Sequence, residues 1–185
     1  RETGREAVWE GADLYLQEDV SVTEFSAQLD IALEVDRLYR QYPLALPEWY
    51  LYEAVHDSDN AVIFLAENQQ NEQAVIKRFK FDMSAVPAEA LQCFMADAAT
   101  LMQHQDDRGL VTLLDAGVKD DALYLVMEYV GGVTLKYILD EQEAIDDSQR
   151  LEWFVQITKS LAKIHEFGLL HRDLKSSNMM MREDG

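Results

Sequence analysis

The 185 residues carry 16 Lys and Arg against 35 Asp and Glu, a formal charge of −19 at neutral pH, which sets nucleic acid aside as a partner because phosphate binding needs a basic face. With 48% apolar and 28% charged residues, eight Gly and three Pro, the chain has material for a buried core and is not an acidic disordered tail. A single cysteine, Cys93, excludes an internal disulfide or a multi-cysteine zinc site, and no apolar run nears the roughly 20 residues of a membrane span, so a soluble, cytoplasmic chain without a membrane partner is expected.

In chain order, Glu2 to Glu10 reads as a short helix stopped by Gly11, and Asp13 to Gln17 as a short strand with Leu14 and Leu16 on one face. Ser21 or Thr23 caps a long helix on which Val22, Phe25, Leu29, Ala32, Leu33 and Leu38 recur at helical spacing. Helix, strand and helix make half of an α/β unit, so residues 1–41 are expected to complete a domain whose earlier part precedes Arg1. Pro43 and Pro47 stiffen the backbone and mark a linker over 42–48.

Past the linker, Trp49–Val55, Ala61–Glu67 and Gln73–Phe81 read as strands of an antiparallel meander, followed by a helix over Pro87–His104 with Leu91, Phe94, Met95, Ala98 and Leu101 inward. Leu110–Gly117 and Leu123–Tyr129 add two strands, giving an α+β lobe of five antiparallel strands and one helix over 49–130. Cys93, on an apolar stretch of that helix, is expected to be buried. Beyond Gly131-Gly132 the chain turns helical, with Thr134–Leu139 and then Ser148–Phe167, whose Leu151, Phe154, Val155, Thr158, Leu161, Ala162 and His165 form one stripe. His165 is expected as a core histidine, Gly168 as the helix stop, and 131–185 as the start of a helical lobe.

The most informative segment is His171-Arg-Asp-Leu-Lys-Ser-Ser-Asn178, between that helix and the apolar Met179-Met180-Met181. Phosphoryl transfer needs a carboxylate to orient the attacking hydroxyl and accept its proton, and an oxygen ligand for the magnesium on the phosphates. Asp173 and Asn178 have those chemistries, and Lys175 can neutralise charge on a transferred group. The segment matches the protein-kinase pattern H-R-D-L-x-x-x-N at every fixed position, and from Trp49 to Gly185 the chain resembles a bacterial, eukaryotic-like serine/threonine protein kinase.

That resemblance implies a protein-kinase-like fold, ATP and Mg2+ as cofactors, and a protein substrate. Asp173 and Lys175 would be catalytic, and Asn178 would hold the metal. Ala74-Val-Ile-Lys77 is similar to V-A-I-K, so Lys77 would bind phosphates, with Asp97 standing where the family has a glutamate and Val75 narrowing the roof of the base pocket. In Leu123-Tyr-Leu-Val-Met-Glu-Tyr-Val-Gly-Gly132, which looks like the strand and hinge of the family, Met127 would be the gatekeeper, and Glu128 and Val130 would offer backbone contacts to adenine. Val62, fifteen residues before Lys77, and Met180 would sandwich the ring.

The chain also departs from the pattern. Val55-His-Asp-Ser-Asp-Asn-Ala61 stands where the phosphate loop reads G-x-G-x-x-G and holds no glycine, and Asp57 and Asp59 would weaken nucleotide binding unless they point outward. The D-F-G segment would lie past Gly185, so the piece alone is expected to be inactive. The alternative is a pseudokinase scaffold that binds partners or nucleotide without catalysis. A second resemblance covers residues 1–41: Ala7-Val-Trp-Glu-Gly-Ala-Asp-Leu-Tyr-Leu-Gln-Glu-Asp19 is similar to the G-A-D-x-Y-L-x-K region of response-regulator receiver domains, with Glu18 at the family's lysine. It implies a homodimer formed through this segment.

Overall fold

The computed structural model describes residues 20–104, 109–141 and 145–182; the helix and strand expected within 2–17 lie outside them. The chain divides into two compact units, residues 1–95 with 114–129, and residues 96–113 with 130–185.

In the first unit, helix α1 spans Val22–Gln41. Of the two candidate caps, Ser21 serves: its hydroxyl accepts the Glu24 N–H at 3.2 Å while the Glu24 carboxylate accepts the Ser21 N–H at 3.0 Å. The expected apolar stripe is only partly used. Leu38 is fully buried, whereas Val22 is 85% exposed and Phe25, Leu29 and Leu33 are exposed as well, because only the end of the helix lies on the sheet. The proline-stiffened segment 42–48 also packs on it. Leu44 lies in a core cluster with Ala66, Ala74, Ile76 and Val126, and the Ala45 N–H donates to the Asp120 carboxylate at 2.6 Å. Leu44, 2% exposed, anchors the segment.

Five strands follow: β1 Tyr50–Asp57, β2 Ala61–Glu67, β3 Gln73–Phe79, β4 Leu113–Lys119 and β5 Ala122–Glu128, in the order β1-β2-β3-β5-β4. The β4–β5 hairpin turns on Asp120 and Asp121, both at positive φ (48° and 56°), the primed geometry that matches strand twist. The β2–β3 register pairs Val62 with Arg78, Ile63 with Lys77 and Leu65 with Val75, and the β3–β5 register pairs Val75 with Met127 and Lys77 with Leu125. Since side chains alternate across a sheet, the two faces are distinct. One holds Val62, Phe64, Ala66, Ala74, Ile76 and Val126, all at 0% exposure under α1 and segment 42–48. The other holds Ile63, Leu65, Val75, Lys77, Leu125 and Met127, none of them fully buried.

Helix α2, Ala88–Met102, has no exposed residue among Leu91, Phe94, Met95, Ala98 and Leu101, as its periodicity predicts. Cys93 lies off that stripe and is exposed, which corrects the expectation of a buried thiol. The second unit adds β6 Gly132–Thr134, α3 Leu135–Glu141, α4 Asp147–Glu166 and β7 Met180–Arg182. Gly168, at φ +76°, ends α4: its N–H donates to the His165 carbonyl and the Leu169 N–H to the Ile164 carbonyl, both at 3.0 Å, the two bonds of a Schellman motif. On α4 the stripe is again largely uncovered, with Leu151 64% and Phe154 65% exposed, and His165 is exposed rather than in a core. Among the described residues no helix is long and apolar enough to cross a membrane.

Candidate active site

The second unit contributes the loop His171–Asn178. The Asp173 N–H donates to the His171 carbonyl at 2.8 Å, closing a three-residue turn on Arg172 at φ +61°. A bulky residue in that region is strained, by roughly 1–3 kcal/mol, and such strain gathers at functional sites. The chain then tightens into a 3-10 turn, Ser176–Asn178, closed by the Asn178 N–H on the Lys175 carbonyl at 2.9 Å. That turn folds Asn178 back onto Asp173. Its Nδ2 donates to the Asp173 carbonyl at 2.8 Å and to Asp173 Oδ2 at 2.9 Å, while Lys175 Nζ lies 3.0 Å from the same oxygen. Asp173, Lys175 and Asn178 are thus brought together. Both charged side chains are more than half exposed, so the pair adds little to stability and its effect is to orient the carboxylate.

The loop is tied down behind Asn178. The Met179 carbonyl accepts the Leu135 N–H at 2.8 Å, and β6 pairs with β7 through Gly132↔Arg182, Val133↔Met181 and Thr134↔Met180. Gly132 is required there: at φ +143°, a Cβ would stand 2.0 Å from the Met181 carbonyl oxygen. Met180 is 38% exposed and Val130 half-buried. Asp97, also of this unit, is half-buried on α2.

The first unit contributes a sheet face. Val75, Lys77 and Met127 share it, Val75 directly opposite Met127, with Lys77 Nζ 5.0 Å from the centre of the Phe79 ring. Phe79 in turn meets Phe94 of α2 edge to face at 6.2 Å. Glu128, paired with Ala74, follows at the end of β5. Val62 does not belong to this face. It is fully buried on the opposite one against Leu38 and Phe64, and Ile63 and Leu65 stand beside Lys77 instead. Counting fifteen residues back from the lysine misses this. The signal that finds it is the hairpin itself, since the Glu67↔Gln73 pair closes a five-residue turn and fixes the parity of both strands.

Between β1 and β2 the chain makes a tight turn. The Ser58 N–H donates to the Ala61 carbonyl at 3.0 Å and the Ala61 N–H to Ser58 Oγ at 3.3 Å, so these backbone donors are used inside the turn. Asp57 points away from Lys77: it pairs with Val62 and contacts Lys80 and, at 3.9 Å, Arg37.

A nucleotide and its magnesium fit most of these residues. Asn178 spends its amide nitrogen on Asp173, and its side-chain oxygen is a hard donor of the kind Mg2+ takes alongside phosphate oxygens. An apolar strip with one lysine matches a flat base joined to phosphates. The turn is the exception, since it holds no glycine and its Ser58 and Ala61 N–H groups bond within it.

The protein kinase domain family matches residues 58–185. A probable serine/threonine-protein kinase of Clostridium perfringens is 31% identical over 125 residues, which is 68% of this chain and 16% of that protein. Serine/threonine-protein kinase PrkC of Bacillus subtilis is 31% identical over 126 residues, 68% of this chain and 19% of that one. The chain therefore spans less than a fifth of the length of these relatives. In fold it is similar to the PknI kinase domain of Mycobacterium tuberculosis, with a TM-score of 0.65 at 18% identity over 77% of this chain and 58% of that one. With a catalytic-loop cluster in one unit, a lysine-bearing sheet face in the other and a family match over both, the chain belongs to the protein kinase domain family.

Proposed function

We propose that this chain serves ATP-dependent phosphoryl transfer to serine or threonine hydroxyls of protein substrates in bacterial signalling. The observation that carries the reading is the cluster in which Asn178 and Lys175 both contact the Asp173 carboxylate. Asp173 so held orients a substrate hydroxyl and takes its proton, and Lys175 neutralises charge that develops beside it. ATP bound with Mg2+ supplies the phosphoryl group and the cation that spreads its charge. Asn178 is the magnesium ligand in this reading, and Lys77 holds phosphates with Asp97 as its acidic partner. In the first unit Val75, Met127 and Ile63 are the apolar residues for the base, with a backbone contact from Glu128; Val130 and Met180 are the second unit's candidates for the same ligand.

The test is Asp173→Asn in the complete reading frame. Transfer to a protein substrate should fall by about 10^2-fold or more while ATP affinity and melting temperature hold, and an unchanged rate would refute the assignment. The closed, glycine-free turn favours a second reading, a kinase fold that binds partners or nucleotide without transfer. A wild type that binds ATP and transfers nothing selects it.

The pattern over 7–19 supports a finer reading, in which residues 1–41 close a receiver-like domain and the protein forms a cytoplasmic homodimer through it. Phe25 and Leu29, exposed on α1, are the residues to change: Phe25→Asp with Leu29→Asp should convert a sedimenting dimer to monomer, and a monomeric wild type removes the proposal.

A further inference from the structure

A nucleotide lobe whose β1–β2 turn lacks glycine cannot fit itself to phosphates through a pliant backbone, so the place of that turn has to be set from outside. We infer that Asp57 is a positioning residue that pins the turn to α1 and to Lys80, making the seat of α1 a determinant of nucleotide affinity; the inference rests on the ATP-binding reading above. Asp57 ends β1 opposite Val62, so its side chain leaves the sheet on the face away from Lys77. Lys80 emerges on that same face two residues past Arg78 and pairs with Asp57 through Nζ. Its side chain is only 11% exposed and lies 4.3 Å over the Tyr42 ring. Its backbone N–H also donates to the Asn60 carbonyl at 2.9 Å, so one residue grips the turn twice.

The helix closes the arrangement. Arg37 Nη2 lies 3.9 Å from the second Asp57 oxygen while its guanidinium is held bidentate by Glu34 at 2.7 Å, and one residue on, Leu38 is buried against Val62 and Phe64. The contacts are unequal. Arg37 is half exposed and long in its contact, so it adds little. Lys80 is nearly buried and needs its counter-ion, and Leu38 is fully buried, so these two carry the link. In the same sense, Asp57 raises the Lys80 ammonium above its ordinary value.

The opposite role for Asp57, a carboxylate facing and repelling phosphates, predicts the opposite sign, which makes the test decisive. In the complete reading frame, Asp57→Asn and Leu38→Ala should each raise the KM for ATP about three- to tenfold, by lowering the population of the binding-competent turn, with kcat at saturating ATP little changed. Asp57→Glu should restore most of the loss, and Arg37→Ala should shift KM less than about twofold. A KM that falls or stays level in Asp57→Asn overturns the inference. Hydrogen exchange without nucleotide reads the link by itself: Asp57→Asn should release protection at residues 58–61, and unchanged protection there also overturns it. A wild type whose turn is protected in this way but which binds no ATP refutes the functional reading and leaves the link as structure only, which overturns its role in affinity.

Discussion

Val62 and Ile63 are neighbours of similar size, both β-branched, and the ladder sends them to opposite faces: Val62 to the core under α1 at 0% exposure, Ile63 to the face of Lys77. Their truncations should therefore separate stability from binding. Val62→Ala removes buried methyl groups beside Leu38 and Phe64 and should cost about 1–3 kcal/mol in urea denaturation while leaving ATP affinity near wild type. Ile63→Ala, at a half-buried position, should cost less stability and weaken ATP severalfold. The reverse ranking in a nucleotide titration would return Val62 to the nucleotide face. The same residue-level logic applies to Asp57 and Asp59: within the stretch that stands where the family has its phosphate loop, they raise an electrostatic objection to nucleotide binding that for Asp57 disappears once its side chain is seen on the far face with Lys80.

Among the elements, α1 illustrates what periodicity can and cannot tell. Its cap is local chemistry. The Ser21 hydroxyl, and then its backbone N–H, hold the Glu24 carboxyl below the ordinary value of 4.5. A carboxyl with a lowered folded pKa adds stability that is full above its unfolded value and is lost as pH falls through the folded one. Protection of the first turn of α1 in hydrogen exchange should then hold at pH 6 and fade below about 4.5, and Ser21→Ala should abolish that pH dependence; equal pH profiles for the two proteins would sink the capping account. The five strands and the helix between the third and fourth of them are legible within a few residues because alternation and 3.6-residue periodicity are properties of contiguous sequence, whereas β6 is not, since three residues are too few to show a period; the catalytic loop is legible because Asp173, Lys175 and Asn178 lie within six residues. Facing is not legible in the same way. Ala61-Val-Ile-Phe-Leu-Ala66 is apolar at every position, so no pattern in it distinguishes the two sides of the sheet; only the turn at 68–72 does. Likewise the stripes on α1 and α4 identify a face without identifying what covers it, and most of both stripes is exposed among the described residues.

For the molecule as a whole, the dominant quantity is the charge of −19, which belongs to neither unit's core and acts at a distance. Ion pairs such as Arg40–Asp36 and Lys136–Asp140 neutralise acids locally, but 19 of the 35 acidic groups would still lack a basic partner even if all 16 bases were paired. An incoming nucleotide is also an anion. At low salt it approaches against the field of the whole chain, and attraction by Lys77 operates only at short range. Raising ionic strength shortens the Debye length to about 10 Å at 0.1 M, which screens the long-range repulsion more than the contact with the lysine. The association rate of ATP, measured by stopped flow with a fluorescent analogue at fixed free Mg2+, should therefore rise with KCl between about 20 and 150 mM, whereas sites steered by a basic cleft slow down under the same change. Lys77→Met should raise the dissociation rate and keep the same salt slope, because in the proposed function that lysine acts as a contact and not as the source of the far field. A rate that falls with salt in the wild type would mean that the field at the site is locally positive, and that the net charge is carried on surfaces the nucleotide does not pass.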